Sequence, residues 1–206
     1  MHATLRTILP AAALLAAGAV CPPARAGGYD ESVSGDLSDD GLGPTFVALA
    51  AGSNPIHGST GKRLGTIDRD YFTITVPSGE TLSAITLLPG TGVSGTFSFI
   101  GVQQGTQVTV SPDATSVAGL LGWIHYDVAQ VGTGILDDMG VASNGSTGFT
   151  PPLGAGNYAF WVQDTGTGPV HYGLDFVISA VPEPATALSL LAGGGLLGLR
   201  RRAGRR

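Results

Sequence analysis

One cysteine, Cys21, stands in a chain of 206 residues, so no intrachain disulfide can form. Cationic residues are scarce in the interior. Between Gly27 and Val181 only Lys62, Arg63 and Arg69 oppose 14 acids, a net charge of about −11. That balance excludes charge-driven binding to nucleic acid or to an anionic surface, and it favours solubility. No G-x-S-x-G, no H-E-x-x-H and no glycine-rich phosphate loop after a strand occurs, which removes the common hydrolase, metalloprotease and nucleotide-binding patterns. The interior histidines His57, His125 and His171 do not stand at metal-ligand spacing and read as loop or strand-surface residues. Nor does the interior carry an apolar period of 3.6 residues, so long amphipathic helices are not expected there.

What is present is concentrated first at the two ends. Arg6, the apolar stretch Ile8 to Val20 and the Ala24-Arg25-Ala26 triplet make a secretory signal peptide, residues 1–26, with cleavage after Ala26. Cys21 leaves with it. A lipid attachment at Cys21 is disfavoured because Val20 stands where a small residue is expected. At the other end, residues 181–206 contain Pro182-Glu183-Pro184, an apolar run from Ala185 to Leu199, and Arg200, Arg201, Arg202, Arg205 and Arg206. The two prolines stop any regular element. The apolar run reaches about 22 Å as a helix against a hydrocarbon core of about 30 Å, and Gly193-Gly194-Gly195 weakens it. The arginines hold its end on the cytoplasmic side.

This tripartite tail resembles the PEP-CTERM sorting signal of Gram-negative bacteria. The resemblance covers about an eighth of the chain, with all three parts in order. It implies recognition by an intramembrane exosortase, after signal peptidase has acted, in a cell that makes exopolysaccharide. Membrane insertion through the short transmembrane helix is then transient. The alternative is an ordinary C-terminal anchor, which also places the domain outside the cytoplasm.

Residues 27–180 read as one all-β domain, an antiparallel β-sandwich of about eight strands. Phe72, Ile74 and Val76 share a face opposite Thr73 and Thr75. Similar rows are Phe97 with Phe99, Ile124 with Tyr126 and Val128, Tyr158 with Phe160 and Val162, and Tyr172 with Leu174, Phe176 and Ile178. Further strands are expected around 46–50, 82–88 and 107–110, with a short helix near Ile135 to Met139. Two patches carry a second resemblance. Asp68-Arg-Asp-Tyr-Phe-Thr-Ile-Thr-Val-Pro-Ser-Gly-Glu-Thr-Leu82 is similar to the opening strand and turn of bacterial pre-peptidase C-terminal domains. Leu153-Gly-Ala-Gly-Asn-Tyr158 with Tyr172-Gly-Leu174 is similar to their late strand pair. The resemblance implies a jelly-roll-like, non-catalytic module, and it lapses between Thr91 and Asn144.

Three groups of side chains are chemical candidates. Asp36, Asp39 and Asp40 in a glycine-containing loop, together with Asp68 and Asp70, offer oxygens to Ca²⁺, which takes six to eight. The competing role is turn capping and strand flanking. Trp123 shares a strand face with His125 and Asp127, and Trp161 faces away from Phe160, so either tryptophan suits stacking on a sugar ring. Packing under loops or over sheet edges is the competing role. Asp137-Asp138 reads as a helix or turn feature, because adjacent carboxylates point apart. No catalytic residue and no obligate cofactor is expected.

The expectation is therefore a non-enzymatic protein, sorted to the envelope or extracellular matrix, with a structural or adhesive role in biofilm. Its rival is a carbohydrate-binding module that recognises the exopolysaccharide. A hydrolase assembled only on folding is a third, less supported reading.

Overall fold

The computed structural model describes residues 27–182. The signal peptide with Ala24 and Ala26, the tail from Glu183 and Pro184 onward, its apolar span and its arginines lie outside the described residues. Among the described residues no helix is long and apolar enough to cross a membrane.

The domain is all-β, an antiparallel sheet curled into two facing layers. Strands β3 (Pro55–Arg63) and β4 (Thr66–Val76) are joined by Leu64-Gly65, both at positive φ (51° and 91°). That geometry suits the twist of a two-residue hairpin. The two strands pair only through Gly61–Arg63 and Thr66–Asp68, then diverge into different layers. One layer runs β5 (Glu80–Leu87), β9 (Val170–Ala180), β3, with β1 (Tyr29–Asp30) added in parallel to β3. The other runs β4, β8 (Gly156–Gln163), β6 (Ser98–Gln104), β7 (Gly122–Tyr126), with β2 (Thr45–Phe46) added in parallel to β4. Helix α1 (Glu31–Ser34) follows β1, and α2 (Leu136–Met139) packs against both β5 and β7. Close to α2, the free edge of β5 is covered: Ile135 N–H donates to Ile85 O (2.8 Å), and Leu82 and Leu153 exchange two backbone bonds.

The alternating rows meet between the layers. Phe72, Ile74 and Val76 on β4, Tyr158, Phe160 and Val162 on β8, and Tyr172, Leu174, Phe176 and Ile178 on β9 are all buried in one cluster. Phe176 is the inter-layer key, with its ring edge-on to Phe160 (5.0 Å) and Phe72 (5.7 Å). Fully burying each ring contributes about 2–3 kcal/mol, before the entropy of ordering it is counted.

A second cluster lies on the outer face of the β4 layer. Tyr71, Phe99, Ala159 and Trp161 are covered by Val108, Val110 and Leu120 from the segment after β6. The expected strand at 107–110 is therefore a buried cover without a ladder. Val108 N–H donates to Gly41 O, and Thr109 N–H goes to the Gln103 side chain. The strand expected at 46–50 shortens to β2 because buried Asn54 takes both the N–H and the carbonyl of Ala50. Phe97 precedes β6 and is 52% exposed, lying flat on His125 at 5.6 Å. Val128 is also exposed. Asp127 and Gln130 form a capping box that turns the chain into a 3-10 helix at Val128–Gln130, so Asp127 leaves the face shared by Trp123 and His125.

Candidate carboxylate site

Even-numbered residues of β4 face the core, and Asp70 is the first of them after the layers part. Its carboxyl is 0% exposed. Directly across, Gly58 on β3 pairs with Tyr172 on β9. A Cβ on Gly58 would stand 2.5 Å from the Tyr172 hydroxyl and 2.8 Å from Asp70 Oδ2, so only glycine leaves room for both. Among the described residues neither Asp70 oxygen nor the Tyr172 hydroxyl makes a hydrogen bond of full geometry, although the hydroxyl and the carboxyl stand close to one another beside Gly58. A buried polar group left in that state costs about 1–3 kcal/mol, and more when charged. The site therefore has an unmet need.

The chain before β2 brings two more carboxylates to the same place. Asp30 caps α1 by accepting from Ser32 N–H, which sets Glu31 at the head of the helix. Glu31 Oε1 accepts from Leu37 N–H (3.0 Å), and Oε2 accepts from Ser59 N–H (2.8 Å) on β3. Asp36, exposed, follows at the turn. One oxygen each from Glu31, Asp36 and Asp70 lies within 4.8 Å of the others. Oxygens bound to one Ca²⁺ at 2.3–2.6 Å stand no more than about 5 Å apart, so the spacing fits that ion.

The electrostatics agree with the geometry. Burial, reinforced by the Glu31 charge, pushes Asp70 up to about 9, with only the nearby Tyr172 hydroxyl acting strongly the other way. Burial raises Glu31 as well, against the two backbone donors. Asp68, half-buried, is pushed up to about 6 by burial and then by Asp36, Asp39 and Glu31. Two carboxylates 5 Å apart repel by about 3 kcal/mol at an effective dielectric of 20. A divalent cation would reverse the sign of that term. Above the cluster opens a groove of about 600 Å³, lined by Asp30, Glu31, Asp36, Ser59, His57 and His171 among others.

The five expected calcium ligands thus divide. Asp36 and Asp70 meet, and Asp68, outside the converging trio, is near enough to feel the charge of Asp36. Asp39 instead accepts from Arg69 N–H, and Asp40 from Leu42 N–H, which are turn-capping and strand-flanking bonds. Glu31 was not marked by sequence reasoning, since no spacing rule links it to Asp70. The tryptophans divide too. Trp161 is 3% exposed, wedged between Tyr71 (5.7 Å) and Phe99 (4.7 Å), and is unable to meet a sugar. Trp123 is partly exposed. Its indole N–H donates to Ser143 O, and with His125, Gln130 and Asp138 it lines a shallow groove of about 390 Å³. Asp137 and Asp138 are exposed in the first turn of α2 while Leu136 and Met139 are buried, a helical pattern. His57 is half-buried, and His125 and His171 are exposed. No known family model, curated protein or solved structure matches this chain.

Proposed function

We propose that this is a non-enzymatic exported protein whose jelly-roll-like sandwich holds a divalent cation, Ca²⁺, between Glu31, Asp36 and Asp70. Exosortase sorts it to the envelope or extracellular matrix of a Gram-negative bacterium, where its role is structural or adhesive. The observation that carries the reading is Asp70: a fully buried carboxyl whose oxygens make no hydrogen bond of full geometry among the described residues, one of them within 4.8 Å of an oxygen from each of two other carboxylates. Export fits such a site. Extracellular calcium modules work at about 10⁻⁴–10⁻³ M, so a site with few protein ligands fills only after the chain leaves the cytoplasm. The leader and the Pro182-Glu183-Pro184 tail support the route.

The intact mass of the exported protein tests the route. Cleavage after Ala26 and processing near Pro182 are expected. A full-length mass, or one that retains the arginine tail, contradicts sorting. A second reading, an exopolysaccharide-binding module working through Trp123, draws on the fixed indole and its polar groove. Glycan binding that survives Trp123→Ala removes it.

A further inference from the structure

The groove above the carboxylates points to a ligand that completes the cation's coordination. We infer that it takes a neutral, hydroxyl-rich sugar of a polysaccharide, held by two vicinal hydroxyls on the bound Ca²⁺. This rests on the cation reading above.

Coordination arithmetic is the first support. Neither Asp70 oxygen makes a hydrogen bond of full geometry among the described residues, but each Glu31 oxygen already accepts a backbone N–H, and Asp36 is a single exposed carboxylate. The Tyr172 hydroxyl adds one oxygen. One converging oxygen from each of Glu31, Asp36 and Asp70, with the Tyr172 hydroxyl as a fourth, falls short of a calcium shell of six to eight, and Glu31, Asp36 and Tyr172 line the groove from which the remaining ligands would come. The groove wall is the second support. Ser32 and Ser59 supply hydroxyls, and His57 and His171 supply imidazoles for hydrogen bonds to a polyol. Its volume, about 600 Å³, lies within the ordinary range for small-ligand sites. Charge sets the ligand's sign. Glu31, Asp36 and Asp70 together carry more negative charge than one divalent ion neutralises, and Asp30 lines the same groove, so the filled site stays acidic and repels a uronate or phosphate while admitting neutral diols.

The test passes the full-length protein over immobilised mannan, galactan and the anionic uronan alginate, in Ca²⁺ and in EDTA. Calcium affinity of the same sample is read by isothermal titration. Retention on a neutral polysaccharide in Ca²⁺, released by EDTA and absent on alginate, is expected. It should persist in Trp123→Ala and weaken about tenfold in His171→Ala, with calcium affinity unchanged. Calcium binding without retention on either neutral polysaccharide overturns the inference and leaves the cation site standing. Absence of calcium binding overturns both. Retention that EDTA does not release, or that occurs only on alginate, overturns the inference alone.

Discussion

Replacing Asp70 by asparagine keeps the side chain's shape and removes its ability to ionise, which isolates the term that burial makes large. In the cation-free protein the Asp70 carboxyl is raised from 3.8 to about 9, so near neutral pH the folded chain holds a proton that the unfolded chain has lost. Stability therefore falls as pH rises, by about 1.4 kcal/mol per unit, throughout the window between those two values. From about pH 7 to about pH 8.5 Asp68, raised only to about 6, is already ionised, which leaves Asp70 to set the slope. The expected loss is about 2 kcal/mol over that interval, less whatever local relaxation recovers. Urea unfolding in EDTA at several pH values measures it. Excess Ca²⁺ should flatten the curve and raise stability, because the paired carboxylate no longer needs its proton. Asp70→Asn should be flat in EDTA and indifferent to Ca²⁺. A wild-type protein that is equally stable across the interval in EDTA, or an Asp70→Asn variant with the same slope, refutes the reasoning.

Other substitutions separate the site from its scaffold. Gly58→Ala inserts a methyl group against the Tyr172 hydroxyl and Asp70 Oδ2, and should cost about 1–3 kcal/mol and abolish calcium-dependent stabilisation, read by thermal melts with and without EDTA. Phe176→Ala, at the junction of the layers, should cost about 3–5 kcal/mol in urea unfolding without altering the stoichiometry of calcium binding. Trp161→Ala should cost a similar amount, since it empties the middle of the outer cluster, whereas Trp123→Ala should cost clearly less. Equal losses for the two tryptophans contradict their different burial.

The core was legible in the sequence where alternation ran along one continuous strand, whereas the row Ile124, Tyr126 and Val128 broke at Val128, which lies exposed in the 3-10 turn after β7. Phe72-Ile74-Val76 and Tyr172-Leu174-Phe176-Ile178 alternate because both strands bury one face against the opposite layer, and their inward rows follow directly. Short apolar pairs were ambiguous. Val108 and Val110 alternate and are buried, yet they cover a sheet face with no ladder. Phe97 alternates with Phe99, but the strand starts one residue later, at Ser98. Asp36 and Asp70 were visible as acidic residues, though nothing in their spacing separated them from Asp39 and Asp40. What distinguishes them is long-range. Asp70 faces inward only because of its register with Val162, and Glu31 reaches it only because β1 lies beside β3. The role of Gly58 was equally hidden, since it depends on which side chains come across from β4 and β9.

Calcium titration of the full-length protein near pH 7, by isothermal calorimetry in two buffers of different ionisation enthalpy, tests the cation site most directly. One ion per chain should bind with release of about one proton, the proton that Asp70 carries in the cation-free state, and Asp70→Asn should remove both. No binding at millimolar Ca²⁺, or binding that Asp70→Asn leaves intact, contradicts the account.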